Sequence, residues 1–286
     1  MHGMMNSTFR VRAIGAIAVV AIFACPAVWA QSSPLVDPPA DRSAAEPPAY
    51  SPAHPAIKHL LDDVKGYYTA PLRWDGGQWA LFGGTLGAIA LAHHYDSNVR
   101  AHFVAGSGIG GSTDDLQDAL PAAALFLGTY IYSTEWQDRS GFTATWAMAE
   151  AAGLSTVTTY ALKYAARRRG PNDTSDPNRW FASGSSFPSE HAAAAFAIGT
   201  VFAESGSGGY RWVTRALGYG VAGFTAYERL KHNAHWLSDV VAGAALGVST
   251  GVFVLDRTYG GASSASAFNV VPVDGGLMLA YHVDLR

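Results

Sequence analysis

Apolar and polar positions recur with a helical period along most of the chain. The pattern covers roughly 57–66, 77–94, 115–133, 142–168, 190–204, 210–231 and 236–256, with Gly, Pro, Asn and Asp clusters between the segments. Strand-like alternation comes only near the end, where AFNVV and LMLAYHV flank Val273-Asp274-Gly275-Gly276 and predict a hairpin. The expected fold class is therefore all-α, a helical bundle with a short C-terminal β-hairpin. Residues 31–55 are rich in Pro, Ala and Ser, a composition that cannot bury a core and predicts a flexible lead-in. The expected organisation is a targeting segment over 1–30, the lead-in over 31–55, a helical domain over 56–258, and a linker and hairpin over 259–286.

The targeting segment has Arg10 and Arg12 ahead of the apolar run Ala13 to Ala24, with small residues at Val28 and Ala30. This predicts a secretory signal cut after Ala30, with an uncleaved anchor as the alternative. Cys25, the only cysteine, lies inside it, so the mature chain has no thiol for a disulfide, a nucleophile or a metal. An exported protein of the periplasm or cell envelope follows. Apolar residues make up 49% of the chain and charged ones 14%, which makes membrane association a live option. The longest uncharged runs, Trp79–Ala92 and Val240–Leu255, fall short of the ~18–20 residues of a spanning helix and favour a periplasmic bundle. A net charge of −3 offers no footprint for nucleic acid.

Three segments carry candidate chemistry. Lys163, Arg167, Arg168 and Arg169 crowd four cations at the end of a helix. They either complement the helix dipole or receive an anion. In Pro188-Ser189-Glu190-His191 a helix begins, and its unpaired N–H groups suit an anion. Ser189 is either an N-cap or a ligand there. His191 lies in the first turn, where its protonated form is favoured only beside an anion. The third segment holds Arg229, His235 and Asp239. If 235–239 are helical, His235 and Asp239 share one face at i, i+4, and they form either a structural pair or one in which Asp239 fixes the tautomer of His235 and leaves the other ring nitrogen as a nucleophile. Arg229 supplies a planar fork for phosphate oxygens.

Together, and in this order, the segments resemble the signature of the type 2 phosphatidic acid phosphatase superfamily, which also includes class A acid phosphatases and vanadium haloperoxidases. That signature reads K-x6-R-P, P-S-G-H and S-R-x5-H-x3-D; the chain has K-YAARRR-G-P, PSEH and ER-LKHNA-H-WLS-D. The resemblance spans about residues 142–256 and implies the family's all-helical bundle. It implies that Lys163, Ser189 and Arg229 bind phosphate oxygens, with backbone N–H groups near Glu190 and His191. It further implies that His191 protonates the leaving oxygen, that His235 attacks phosphorus and that Asp239 orients His235. The partner is then a phosphorylated small molecule or a lipid phosphate, with no cofactor and no metal. A vanadate-dependent haloperoxidase and a non-catalytic phosphate- or lipid-binding envelope protein are the alternatives.

The chain departs from the signature at three positions. Gly170 stands where the family has Arg, and Arg169, or else Arg168, is the expected replacement for that phosphate contact. Glu190 replaces a glycine, so its carboxylate must point away from phosphate. Glu228 replaces a serine and is expected to pair with Arg229 or with a basic neighbour such as Lys231. Other signals are set aside. The G-x-G-x-x-G run from Gly106 to Gly111 lacks a βαβ setting and reads as a loop. His93, His94 and His102 read as helix-end solvation rather than metal ligands. Trp136, Trp146 and Trp236 read as packing residues, Trp236 also as a wall beside His235.

Overall fold

The computed structural model describes residues 57–106, 115–206, 211–259, 268–273 and 276–281. The expected signal segment at 1–30, the lead-in at 31–55, the linker at 260–266 and all of the glycine-rich run after Gly106 lie outside them. Seven α-helices form the described bundle: α1 (Ile57–Thr69), α2 (Gly76–Gly106), α3 (Asp115–Glu135), α4 (Arg139–Ala166), α5 (Glu190–Ser205), α6 (Arg211–Lys231) and α7 (Leu237–Tyr259). The fold class is all-α.

Helix α2 runs on to Gly106, well beyond the break expected near residue 94. The polar run from His93 to Asn98 looked like a helix end. It is accommodated inside the helix because Asp96 is fully buried and satisfied by partners on other elements. His93 pairs with Asp96 at 2.9 Å, so helix-end solvation does not describe it.

Helix α5 is the central element. Ala192, Ala193, Ala195, Phe196, Ala197 and Val201 are all essentially buried, and α4, α6 and α7 pack around them. A helix so poor in side-chain bulk is held by close backbone approach rather than by propensity alone. A Cβ on Gly243 would meet the Ser189 carbonyl at 2.3 Å, and one on Gly247 the Ala193 carbonyl at 2.2 Å. These two α7 glycines, one turn apart, bring α7 against the first turns of α5. That contact sets the two helix starts side by side, and both carry the candidate chemistry.

The exterior of α2 and α3 is apolar: Trp79, Phe82, Leu86 and Leu91 on α2, and Leu127, Tyr130 and Ile131 on α3, are exposed. An apolar exterior of this extent suits contact with lipid or protein better than water. Among the described residues one helix, Leu237–Tyr259, is long and apolar enough to cross a membrane, with 67% of its apolar window buried inside the bundle.

Candidate active site

Helix α4 stops because Arg167 takes a left-handed conformation, φ 47°, and caps the helix by donating its N–H to the Lys163 carbonyl at 2.9 Å. The chain then lies along residues 179–186. Arg169 N–H donates to Arg179 O at 3.0 Å, Ala182 N–H to Arg167 O at 2.9 Å, and Ser186 N–H to Arg168 O at 2.9 Å. Gly184 permits this pairing, since a Cβ there would meet the Arg168 carbonyl at 2.1 Å. Lys163 reaches back from α4 to the same loop, with Nζ donating to Ser185 O at 2.5 Å.

At the start of α5, Ser189 is fully buried and caps the helix, its Oγ accepting from Ala192 N–H at 3.5 Å. Its own N–H donates to the Asp239 carbonyl at 2.9 Å. The α5 start and the His235–Asp239 segment are thereby tied backbone to backbone. His191, half-buried, lies in the first turn of α5 beside them. The Glu190 carboxylate accepts from the Tyr160 hydroxyl, a bond that raises the phenol's pKa.

His235 is buried, and its Nδ1 lies 2.8 Å from the Ser186 carbonyl. That contact assigns the proton to Nδ1 and leaves Nε2 as the lone pair. Asp239 Oδ2 is 3.8 Å from Nδ1, too far for a hydrogen bond. The expected direct Asp–His bond is therefore replaced by a relay through Ser186. Its carbonyl accepts the hydrogen bond of the imidazole Nδ1–H, and its hydroxyl donates to Asp239 Oδ2 at 2.5 Å. Burial pulls the His235 pKa below its ordinary value. Asp239 opposes that shift, and Lys163 and Arg229 add to it. Burial alone would raise the Asp239 carboxyl. His235, the Arg168 guanidinium and the Ser186 hydroxyl outweigh it and keep the group ionised.

The two candidate replacements for the missing arginine lie in different places. Arg169 is exposed, with Nε on the Ala182 carbonyl at 3.0 Å. Arg168 is fully buried among Asp96, Ser238 and Asp239. A Cβ on Gly170 itself would make only ordinary contacts, 3.4 Å to Ala234 O and 3.5 Å to Ser186 Oγ, so lack of space does not explain the glycine.

Arg229 is buried, with Nη1 donating to Asp118 Oδ2 at 2.6 Å. Glu228 pairs with Lys231 at 3.1 Å. Asp118, Glu228 and His232 bring three potential ligand atoms within 4.8 Å of one another. Arg229 and Lys231 already neutralise both carboxylates, so the group reads as an ion-pair cluster.

Lys163, Arg229, His235 and Asp239 thus act on one another through space, with Ser189 in backbone contact with the last. Arg169 is at the margin. Sequence reasoning missed Asp96, Asp118 and the relay by Ser186. Only Ser186 left a trace, lying just ahead of the Pro188–His191 segment.

The PAP2 superfamily model matches residues 144–259, which hold every expected site residue. A lipid A 1-phosphatase of Porphyromonas gingivalis is 40% identical over 91 residues, covering 32% of this chain. The chain spans only 18% of that protein's length. No solved structure matches the chain.

Proposed function

We propose that the chain, which the PAP2 superfamily model matches over residues 144–259, is a metal-independent phosphatase of the cell envelope. It hydrolyses a phosphomonoester or a lipid-linked (di)phosphate through a phosphohistidine on His235. The observation that carries the mechanism is the 2.8 Å contact of His235 Nδ1 with the Ser186 carbonyl, which aims a neutral Nε2 away from the relay.

Nε2 attacks phosphorus and forms the P–N bond as the P–O bond to the leaving group breaks. His191 gives its proton to the departing oxygen. Water then attacks the phosphohistidine, with His191 taking the proton, and phosphate leaves as the P–N bond breaks. Lys163, Arg229, Ser189 and the N–H groups at Glu190 and His191 hold the phosphoryl oxygens and supply charge stabilisation at fixed positions. Arg169, exposed with its Nε on the Ala182 carbonyl, stands at the margin of the site as the expected further phosphate contact.

A lipid phosphate is the favoured substrate class, supported by the lipid named in the relative and by the apolar exterior of α2 and α3. Export to the envelope rests on residues 1–30. The functional domain extends over residues 56–258. The C-terminal hairpin belongs to the same proposal, supported by antiparallel pairing of Phe268 with Tyr281 through Val273 with Gly276.

The test is release of inorganic phosphate from p-nitrophenyl phosphate, phosphatidic acid and a lipid A 1-phosphate, each with and without EDTA. Trapping of an acid-labile phosphoenzyme from 32P-labelled substrate, lost in His235→Ala, supports the reading. Turnover that survives His235→Ala, or that EDTA abolishes, removes it.

A further inference from the structure

We propose that Arg168 is a positioning residue, which with Asp96 fixes the carboxylate of Asp239, and through it His235, and takes no phosphate. The inference rests on the phosphohistidine reading above and assigns a role to the buried arginine beside its site.

A guanidinium has five N–H donors in a planar fork. In Arg168 all five have acceptors. Nε donates to Pro177 O at 3.1 Å, and Nη1 to Ser238 Oγ at 2.7 Å and to Asp239 Oδ1. Nη2 donates to Asp96 Oδ2 at 2.7 Å and to Pro177 O at 2.8 Å. The guanidinium carbon also lies 4.4 Å from the Trp180 ring and 5.5 Å from the Trp236 ring. No donor remains for a phosphate oxygen, although Arg168 lies only two residues from the position where the signature has its arginine.

Asp96 is held with equal completeness. Its Oδ1 accepts Ser238 N–H at 2.8 Å, and its Oδ2 accepts the Ser238 hydroxyl at 2.7 Å beside Arg168. Asp96 lies on α2, upstream of the PAP2 match, so the clamp ties that helix to the start of α7.

The consequence falls on Asp239. Arg168 holds Oδ1, while the Ser186 hydroxyl and the Trp236 N–H, the latter at 3.0 Å, hold Oδ2. The carboxylate cannot turn to take the His235 proton itself, so the imidazole keeps its bond to the Ser186 carbonyl. The charged groups facing His235 are Asp239, Lys163 and Arg229. With Arg168 removed, Asp239 is freer and less neutralised, and it favours the imidazolium.

The double variant Arg168→Gln/Asp96→Asn removes one cation and one anion and so keeps the buried net charge. It is expected to melt cooperatively, to bind inorganic phosphate within about twofold of wild type, and to lose kcat by about ten- to a hundredfold. The acid limb of its kcat/KM profile moves to higher pH. A phosphate affinity weakened tenfold with an unmoved limb, or kinetics equal to wild type, overturns the proposal. On the unaltered protein, phenylglyoxal should leave Arg168 unlabelled with or without phosphate. A label there that phosphate suppresses also overturns it. If the wild type hydrolyses no ester, the phosphatase reading fails. The clamp is then decided by NMR titration of the His235 imidazole, raised in the double variant if it holds and unchanged if it does not.

Discussion

The backbone N–H of Ser189 donates to the carbonyl of Asp239 at 2.9 Å, joining the first residue before α5 to the third residue of α7. Two helix starts with their positive dipole ends are thereby fixed next to each other. Both candidate catalytic histidines belong to these starts, His191 just inside α5 and His235 just before α7. The proposed anion cradle and the proposed nucleophile thus share one frame of two helix starts, which loops alone would not provide.

The roles of the two histidines are separable by leaving group. His235→Ala should lower kcat by about 10⁴-fold or more on every ester, because the covalent route is gone. His191→Ala should cost about 10²–10⁴-fold on an alkyl phosphate, where the leaving oxygen needs a proton. On p-nitrophenyl phosphate, whose leaving group departs unprotonated, the loss should be much smaller. Equal losses on both esters would take the proton-donor role from His191.

The helical fold was legible because it rests on local spacing, and the proposed catalytic pair was drawn from the same kind of signal. The i, i+4 relation of His235 and Asp239 and the helix start at Ser189 are short-range signals. The relay through Ser186 was not legible, since it joins residues 49 and 53 apart along the chain. Asp96 was hidden for a related reason. A charged residue in a polar run reads as a helix end, and only its burial beside Arg168 identifies it as an interior anchor. Arg168 and Arg169 are adjacent letters of one basic run, and tertiary burial alone separates them.

The acid side of the pH profile should extend below the ordinary imidazole range. In the proposed mechanism His235 attacks only when neutral, and burial, Lys163 and Arg229 all lower its pKa from 6.5. The acid limb of kcat/KM should therefore fall below pH 6.5. Stability has a consistent sign. A base whose pKa is depressed by folding takes up its proton more readily when unfolded, so acid below pH 6.5 favours unfolding. Asp239 is also depressed, and its contribution is lost as pH falls through the folded pKa. Urea melts from pH 8 downward should show stability falling with acid, and less steeply in His235→Ala.

Glycines within the bundle differ in what they support. Gly247→Ala places a Cβ 2.2 Å from the Ala193 carbonyl on α5, an overlap that only helix separation relieves. A loss of about 1–3 kcal/mol is expected. Gly87 on α2 is exposed and has nothing within 4 Å of its would-be Cβ. Gly87→Ala should stabilise by about 0.5–1 kcal/mol through helix propensity. Chemical denaturation of both variants measures the pair, and equal signs would contradict the close α5–α7 approach.

Arg229 depends on Asp118 in a way that Lys231 does not depend on Glu228. The first pair is buried on both sides, whereas Lys231 is 46% exposed. Removing one partner of a buried pair leaves an uncompensated charge, so Asp118→Ala should cost about 3–5 kcal/mol. Lys231→Ala, at a solvent-screened pair, should cost no more than about 1 kcal/mol. Arg229 also loses its bearing when Asp118 goes, so KM should rise in that variant while Lys231→Ala leaves it near wild type. The same residues test the ion-pair reading of the Asp118, Glu228 and His232 group. EDTA should change neither the melting temperature nor the rate. A chelator-induced drop in either, restored by a divalent cation and absent in Asp118→Ala, would make the cluster a metal site instead.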